Sequence, residues 1–220
     1  TGLASHEVAQ GYKEDTIDSV IVPMKKKDDD TYFLVWTTTP WTLISNVALC
    51  VNPDEDYVLA ESKGHKFIVA AKLALKVLGE EYQVLETYKG KDLEYMEYEQ
   101  LMPFLEVDKK AFYVTCDTYV TMEDGTGIVH MAPAFGADDY NVCRRYDLPA
   151  LNPVDDKGQY TEGPWKGKFV IDADPEIVKY LKENEKVFRK ERMVHNYPHC
   201  WRCDTPLIYY AKPSYYLAIT

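Results

Sequence analysis

The chain has 220 residues, 46% of them hydrophobic and 28% charged, with a formal net charge of −11. That is enough apolar material for one large domain or two small ones, and no apolar run approaches the roughly 18–20 residues a bilayer-spanning helix needs, so no membrane partner is expected. The acidic balance speaks against a dedicated nucleic-acid-binding module, which needs clustered Lys and Arg to meet phosphate.

Cysteines and chain ends set the context. Cys50, Cys116, Cys143, Cys200 and Cys203 are odd in number and mostly scattered. This excludes a secreted disulfide framework and predicts a reducing, cytoplasmic setting. The first three read as small core residues. The opening Thr1-Gly2-Leu3-Ala4-Ser5-His6 has no initiator Met and no signal segment, so the chain reads as a monomeric piece of a longer protein.

In chain order, Thr16–Met24 alternates polar and apolar residues and predicts a strand. Lys25–Asp30 is a charged turn. Tyr32–Thr37 is an aromatic, apolar run of strand length, ended by Pro40, which cannot donate to a ladder. Trp41–Ser45 predicts a short helical turn with Pro40 leading it. Val47–Val51, Tyr57–Glu61 and Lys66–Ala70 predict short strands joined by Asn52-Pro53-Asp54 and Lys63-Gly64-His65. Ala71–Leu78 is a short amphipathic helix stopped by Gly79. Tyr82–Tyr88 and Ala111–Thr115 predict strands flanking an irregular stretch rich in Glu and Tyr. Gly125-Thr126-Gly127 turns into the strand Ile128–His130, and Ala137–Arg145 predicts a helix with Asp138 and Asp139 in its first turn. Asp174 as cap and Pro175 at the first helical position start a helix to about Glu183. The basic residues between Lys179 and Arg192 read as a solvated helix face and its exit strand, ahead of an RNA contact. The fold expected is α/β, a mixed, barrel-like β-sheet with peripheral helices, over 16–193. Residues 1–15 and 194–220 read as two arms of a stalk.

Two clusters sit at strand ends. Thr37-Thr38-Thr39 places hydroxyls at a strand exit before a proline; locally, plain β-propensity explains such a run. The second, Gly125 to Asp139, joins a strand-ending His130 to two acids at a helix start. Alone, such a His is an ordinary core residue and such acids a capping pair. Facing one cleft, they suit a small-molecule site in which an acid holds an ammonium and the His and Thr groups shape a pocket or orient water.

The segment W-T-T-T-P-W-T at Trp36–Thr42, followed by Asn46, and the segment G-T-G-I-V-H-M-A-P-A-F-G-A-D-D-Y at Gly125–Tyr140 resemble the two signatures of isoleucyl-tRNA synthetase editing domains. His6–Lys13 and Tyr197–Tyr209 extend the resemblance nearly end to end. The sister domains for valine and leucine share the second signature, but have Arg-Pro where this chain has Thr39-Pro40-Trp41. The signatures of adenylate formation, the ATP-dependent chemistry of such ligases, do not occur in the 220 residues.

The resemblance implies hydrolytic proofreading: removal of valine from the 3′ end of isoleucine tRNA, and from valyl adenylate, with the remainder of the synthetase as partner. It implies that Asp139 binds the α-ammonium, that His130 lines the side-chain pocket, and that Thr37, Thr38 and Thr39 hold the ester, the terminal adenosine and the attacking water. Trp41 and Phe135 are implied as walls, and Asp138 as a weaker acid candidate for substrate binding. No cofactor is expected for editing. Cys200 and Cys203 form one C-x-x-C, half of a four-thiolate zinc site. The resemblance implies zinc in the full-length enzyme through a second pair upstream, and a reduced, unliganded pair in this chain alone. A non-hydrolytic tRNA-end binding module, or valyl- or leucyl-type editing, are the alternatives.

Overall fold

The computed structural model describes residues 2–215. Among them, nine strands form one mixed sheet, curled into a half-barrel with a few helices outside it. The strands are β1 (Tyr12–Lys25), β2 (Thr31–Thr37), β3 (Ala48–Val51), β4 (Asp56–Ser62), β5 (His65–Ala70), β6 (Gln83–Lys89), β7 (Tyr113–Cys116), β8 (Ile128–Met131) and β9 (Arg189–Pro198). The helices are α1 (Ser5–Ala9), α2 (Ala74–Leu78), α3 (Ala137–Arg145) and α4 (Asp174–Glu183).

The sheet is organised around β2. Phe33, Leu34 and Val35 are fully buried, as expected of a strand covered on both faces, whose sequence is then a continuous apolar run. Each such side chain contributes roughly 1.5–3 kcal/mol by leaving water. On one side β2 pairs antiparallel with β1, Val20 opposite Thr37 through Lys25 opposite Tyr32. On the other its first residues pair parallel with β5, and Trp36 meets Val129 of β8. The sheet therefore forks: β5, β4 and β6 continue from the start of β2, while β8, β3 and β7 continue from its end. The fork leaves the end of β2 and the end of β8 side by side.

β1 is longer than alternation predicts. It starts at Tyr12 because it pairs with β9 over ten positions, Tyr12 opposite Pro198 through Ile21 opposite Arg189. Both strands are largely exposed there, so ladder bonds rather than burial hold them, and no hydrophobic alternation marks the pairing. Continuous strand thus runs through positions 15 and 194, where arms and domain were expected to meet; Thr1 and residues 216–220 of those arms lie outside the described residues. Pro23 sits past the last β9 pair, on the stretch of β1 with β2 alone as partner, where a missing N–H is tolerated.

The basic stretch is neutralised by its neighbours. Lys190 lies 2.7 Å and Arg192 3.6 Å from Asp18 on β1, and Arg189 pairs with Glu191 at 2.7 Å while donating to the Val77 carbonyl. Two details differ from the expectation. Ala71–Leu73 is a 3-10 turn that only becomes α-helix at Ala74. Asp174 is the first residue of α4 rather than its cap, with Ala173 in the cap position. Its carboxyl turns toward the backbone of Trp41, where burial pushes it up to about 8 against the opposing effect of the Trp41 N–H.

Candidate active site

Thr37 is the last residue of β2, and Pro40–Ser45 follows as a fully buried 3-10 turn. The turn is held from behind by Tyr160, whose hydroxyl donates to the Trp41 carbonyl at 2.6 Å. Three threonines tie the strand exit together. Thr37 Oγ1 accepts the Thr39 N–H at 3.1 Å, Thr42 Oγ1 donates to the Thr39 carbonyl at 2.9 Å, and the Thr39 and Thr42 hydroxyls lie 2.9 Å apart.

His130 arrives from β8, opposite Leu49 of β3. It is 7% exposed, and both ring nitrogens are bonded: Nε2 to Thr42 Oγ1 at 2.8 Å and Nδ1 to the Asn46 amide at 2.9 Å. Burial pushes its pKa down to about 4, so the ring is neutral at physiological pH. A neutral ring with both nitrogens engaged is a rigid wall and a poor general base.

Asp139 lies in the first turn of α3, and its Oδ2 accepts the Ala132 N–H at 2.8 Å, stapling the helix to the end of β8. Burial pushes its carboxyl up to about 6, against the lowering effect of that N–H. The carboxylate packs closely on Gly136: a Cβ there would lie 2.9 Å from the Asp139 Cγ. Gly136 is thus needed for close approach. Tyr57 anchors the glycine turn upstream, donating to the Gly127 carbonyl at 2.5 Å.

Thr37, Thr38, Thr39, Trp41, His130, Phe135 and Asp139 all line one cleft of about 1420 Å³. Trp41 and Phe135 form one wall, ring centroids 5.0 Å apart and nearly edge-on at 70°. Asp138 does not join them. It is exposed on the first turn of α3 and outside the cleft lining, because adjacent helical residues diverge around the axis. Its expected substrate contact is therefore not supported by its placement; a solvent-side acid near the helix start remains. The arrangement contains an anionic group, fixed hydroxyls, and a rigid apolar wall, suited to binding an ammonium and orienting water beside a small aliphatic side chain.

No protein-family model matches the chain. The sequence is 52% identical over 223 aligned residues to isoleucine–tRNA ligase of Clostridium novyi, and 50% identical over 222 to that of Picrophilus torridus. Each alignment covers 100% of this chain and 22% of the relative. The fold matches the P. knowlesi cytosolic leucyl-tRNA synthetase editing domain with a TM-score of 0.64 at 15% identity, covering 81% of this chain and 98% of that one. The P. falciparum counterpart gives 0.60 at 13%, covering 79% and 99%.

The chain belongs to the isoleucyl-tRNA synthetase editing domains. It spans 22% of the length of these curated relatives. Reading the sequence missed two parts of this editing domain's cleft. Asn46 and Thr42 hold His130; both stand in the threonine signature, which was the available signal. The opposite wall comes from Asp155–Gly158 and from Thr205–Tyr210, with the Ala211 N–H donating to the Ala134 carbonyl at 2.9 Å. Irregular segments of this kind carry no periodicity to announce a wall.

The cysteines of the editing domain divide sharply. Burial pushes the Cys50 and Cys116 thiols up to about 12 and raises Cys143 further, leaving them inert at neutral pH. Cys203 is exposed, and its hydrogen bond to Thr205 lowers its pKa. Cys200 and Cys203 flank a tight turn closed by the Cys200 N–H on the Thr205 carbonyl at 2.8 Å. No group of three or more His, Cys, Asp or Glu side chains gathers for a metal among the described residues, and two thiolates do not complete tetrahedral zinc.

Proposed function

We propose that the cleft hydrolyses valine from the 3′ end of isoleucine tRNA, and valyl adenylate by the same chemistry. One observation carries the reading: the Asp139 carboxylate lines the same cleft as the threonine hydroxyls and His130, in a chain half identical to isoleucine–tRNA ligases. Asp139 holds the α-ammonium by a charge-assisted hydrogen bond. Water, oriented by the Thr37–Thr39 hydroxyls and backbone, attacks the ester carbonyl carbon. The carbon–oxygen ester bond breaks, and the ribose hydroxyl leaves with a proton, releasing valine and uncharged tRNA. No Ser–His–acid or Cys–His set lies among the groups described in the cleft, so direct attack by water accounts for the chemistry without a covalent enzyme intermediate.

The need for a second site follows from size. One methylene in a synthetic pocket is worth only about 1–3 kcal/mol, a limit for which isoleucyl-tRNA synthetase is itself the standard example. His130, fixed through both nitrogens, is the wall that rejects the extra methylene of isoleucine. The larger protein is proposed to be a cytoplasmic isoleucine–tRNA ligase. Its remaining segments would supply the other tRNA contacts and the thiolates that join Cys200 and Cys203 around zinc.

Deacylation of isoleucine tRNA carrying valine, threonine or isoleucine tests the reading. Valine should be released at least about tenfold faster than isoleucine, the lower end of one-methylene discrimination. Fast release of isoleucine with little of valine would refute the assignment, and binding without release of any ester would mark a tRNA-end binding module.

A further inference from the structure

We propose that Tyr98 holds the Asn46 amide at the head of a hydrogen-bonded chain running through His130 to the threonine hydroxyls, and is thereby a positioning residue for the cleft. The inference rests on the hydrolytic reading above for its consequence, but not for its geometry.

The chain can be followed donor by donor. The Ala48 carbonyl can only accept, and it receives Asn46 Nδ2 at 2.9 Å. That fixes which end of the Asn46 amide carries hydrogens. The amide oxygen then faces Tyr98, whose hydroxyl donates to it at 2.5 Å. The second hydrogen of Asn46 Nδ2 reaches His130 Nδ1 at 2.9 Å, so Nδ1 accepts and the neutral ring carries its proton on Nε2. Nε2–H donates to Thr42 Oγ1 at 2.8 Å. Thr42 passes its own hydrogen to the Thr39 carbonyl, leaving its second lone pair for the Thr39 hydroxyl at 2.9 Å. With Thr42 donating to that carbonyl, Thr39 is left to donate to Thr42, and Thr37 Oγ1 lies at a longer 3.4 Å. The Thr39 oxygen lone pairs remain to accept a proton from a water or ammonium in the cleft.

Tyr98 is the only member with no other polar contact for its side chain among the described residues. It is 2% exposed and packs edge-on against Phe112, centroids 6.0 Å apart. Its backbone is held separately, N–H to the Phe112 carbonyl at 2.9 Å. Burial holds the phenol well above its usual pKa, so it stays a donor at any working pH. Removing that one hydroxyl leaves the Ala48 carbonyl alone to oppose rotation of the Asn46 amide. An amide turned over would present oxygen to His130 Nδ1, move the ring proton there, and leave Nε2 to take the Thr42 hydrogen. The Thr39 carbonyl would then lose the hydrogen it receives from Thr42, and with it a bond that fixes the Thr39 backbone at the cleft.

Ring-labelled histidine NMR on this chain reads the lock directly, with the His130 signals assigned by their loss in His130→Gln. The parent should show a single neutral Nε2–H tautomer across neutral pH. Tyr98→Phe should give a mixed tautomer population and about tenfold slower valyl ester hydrolysis, through kcat rather than KM. Asn46→Asp, which can only accept toward the ring, should drive it to Nδ1–H and serves where Tyr98→Phe fails to fold. A parent tautomer of Nδ1–H, or an unchanged tautomer in folded Tyr98→Phe, would overturn the proposal; where that variant fails to fold, an unchanged tautomer in Asn46→Asp would do so. A shifted tautomer with undiminished hydrolysis would overturn the positioning role. No hydrolysis by the parent, with the tautomer fixed as described, would instead defeat the functional reading on which that role rests.

Discussion

The two walls of the cleft are built in opposite ways. On the sheet side, Thr37, Thr39, Thr42, Asn46, His130 and Asp139 are all hydrogen-bonded to one another or to nearby backbone, on the ends of β2, β8 and α3. On the arm side, Asp155–Gly158 and Thr205–Tyr210 are irregular, and the chain just beyond them touches the sheet side through Ala211 on Ala134. Groups that must hold a reacting atom within a fraction of an ångström belong on rigid elements. Groups that receive a long, variable ligand can be irregular. On the proposed function, the sheet wall carries the chemistry and the arm wall the capture.

Breaking the sheet wall at its charge should cost most. Asp139→Ala should slow deacylation of valyl tRNA by about a hundredfold or more, through loss of the buried charge-assisted bond. In the parent the rate should fall as pH drops through about 6, because the carboxyl must be ionised to hold the ammonium. His130 cannot supply that limb, since its own pKa lies near 4. A rate at subsaturating substrate, which reports the free enzyme, that stayed flat between pH 5 and 7 would show that Asp139 is not the ammonium site.

A subtler break leaves every functional side chain in place. Gly136→Ala puts a methyl within van der Waals overlap of the Asp139 carboxylate. The carboxylate must shift, and about a tenfold loss of single-turnover rate is expected, with the fold intact by circular dichroism. The smallest effect belongs to the arm. Ala211→Pro removes the N–H that reaches Ala134 and should raise KM for charged tRNA a few-fold while leaving kcat near the parent value. A fall in kcat larger than the rise in KM would mean that the arm wall shares in the chemistry, and that the contrast between the walls is false.

The parts of the molecule legible in its sequence share a cause. β2 announces itself because a strand buried on both faces must be continuously apolar, and Pro40 marks its end. The helix α3 was readable from its paired acids. By contrast, the outer half of β1 and all of β9 have no buried face and are held by ladder bonds, which leave no trace in hydropathy. At the site, residues adjacent in sequence were readable and residues joined only in space were not. Tyr98 lies 52 positions from Asn46, within a stretch that has no period. Asp138 and Asp139 are indistinguishable by composition; the turn of the helix alone separates them.

The long ladder between β1 and β9 has a mechanical meaning. Ten facing pairs span about 30 Å, from Tyr12 and Pro198, which lie on the rim of the cleft, to Val20, which pairs with Thr37 at its floor. Rim and floor are therefore two stations on one twisted ribbon. The ribbon thus ties part of the cleft's outer lining, Tyr12 and Pro198, to the strand that carries Thr37.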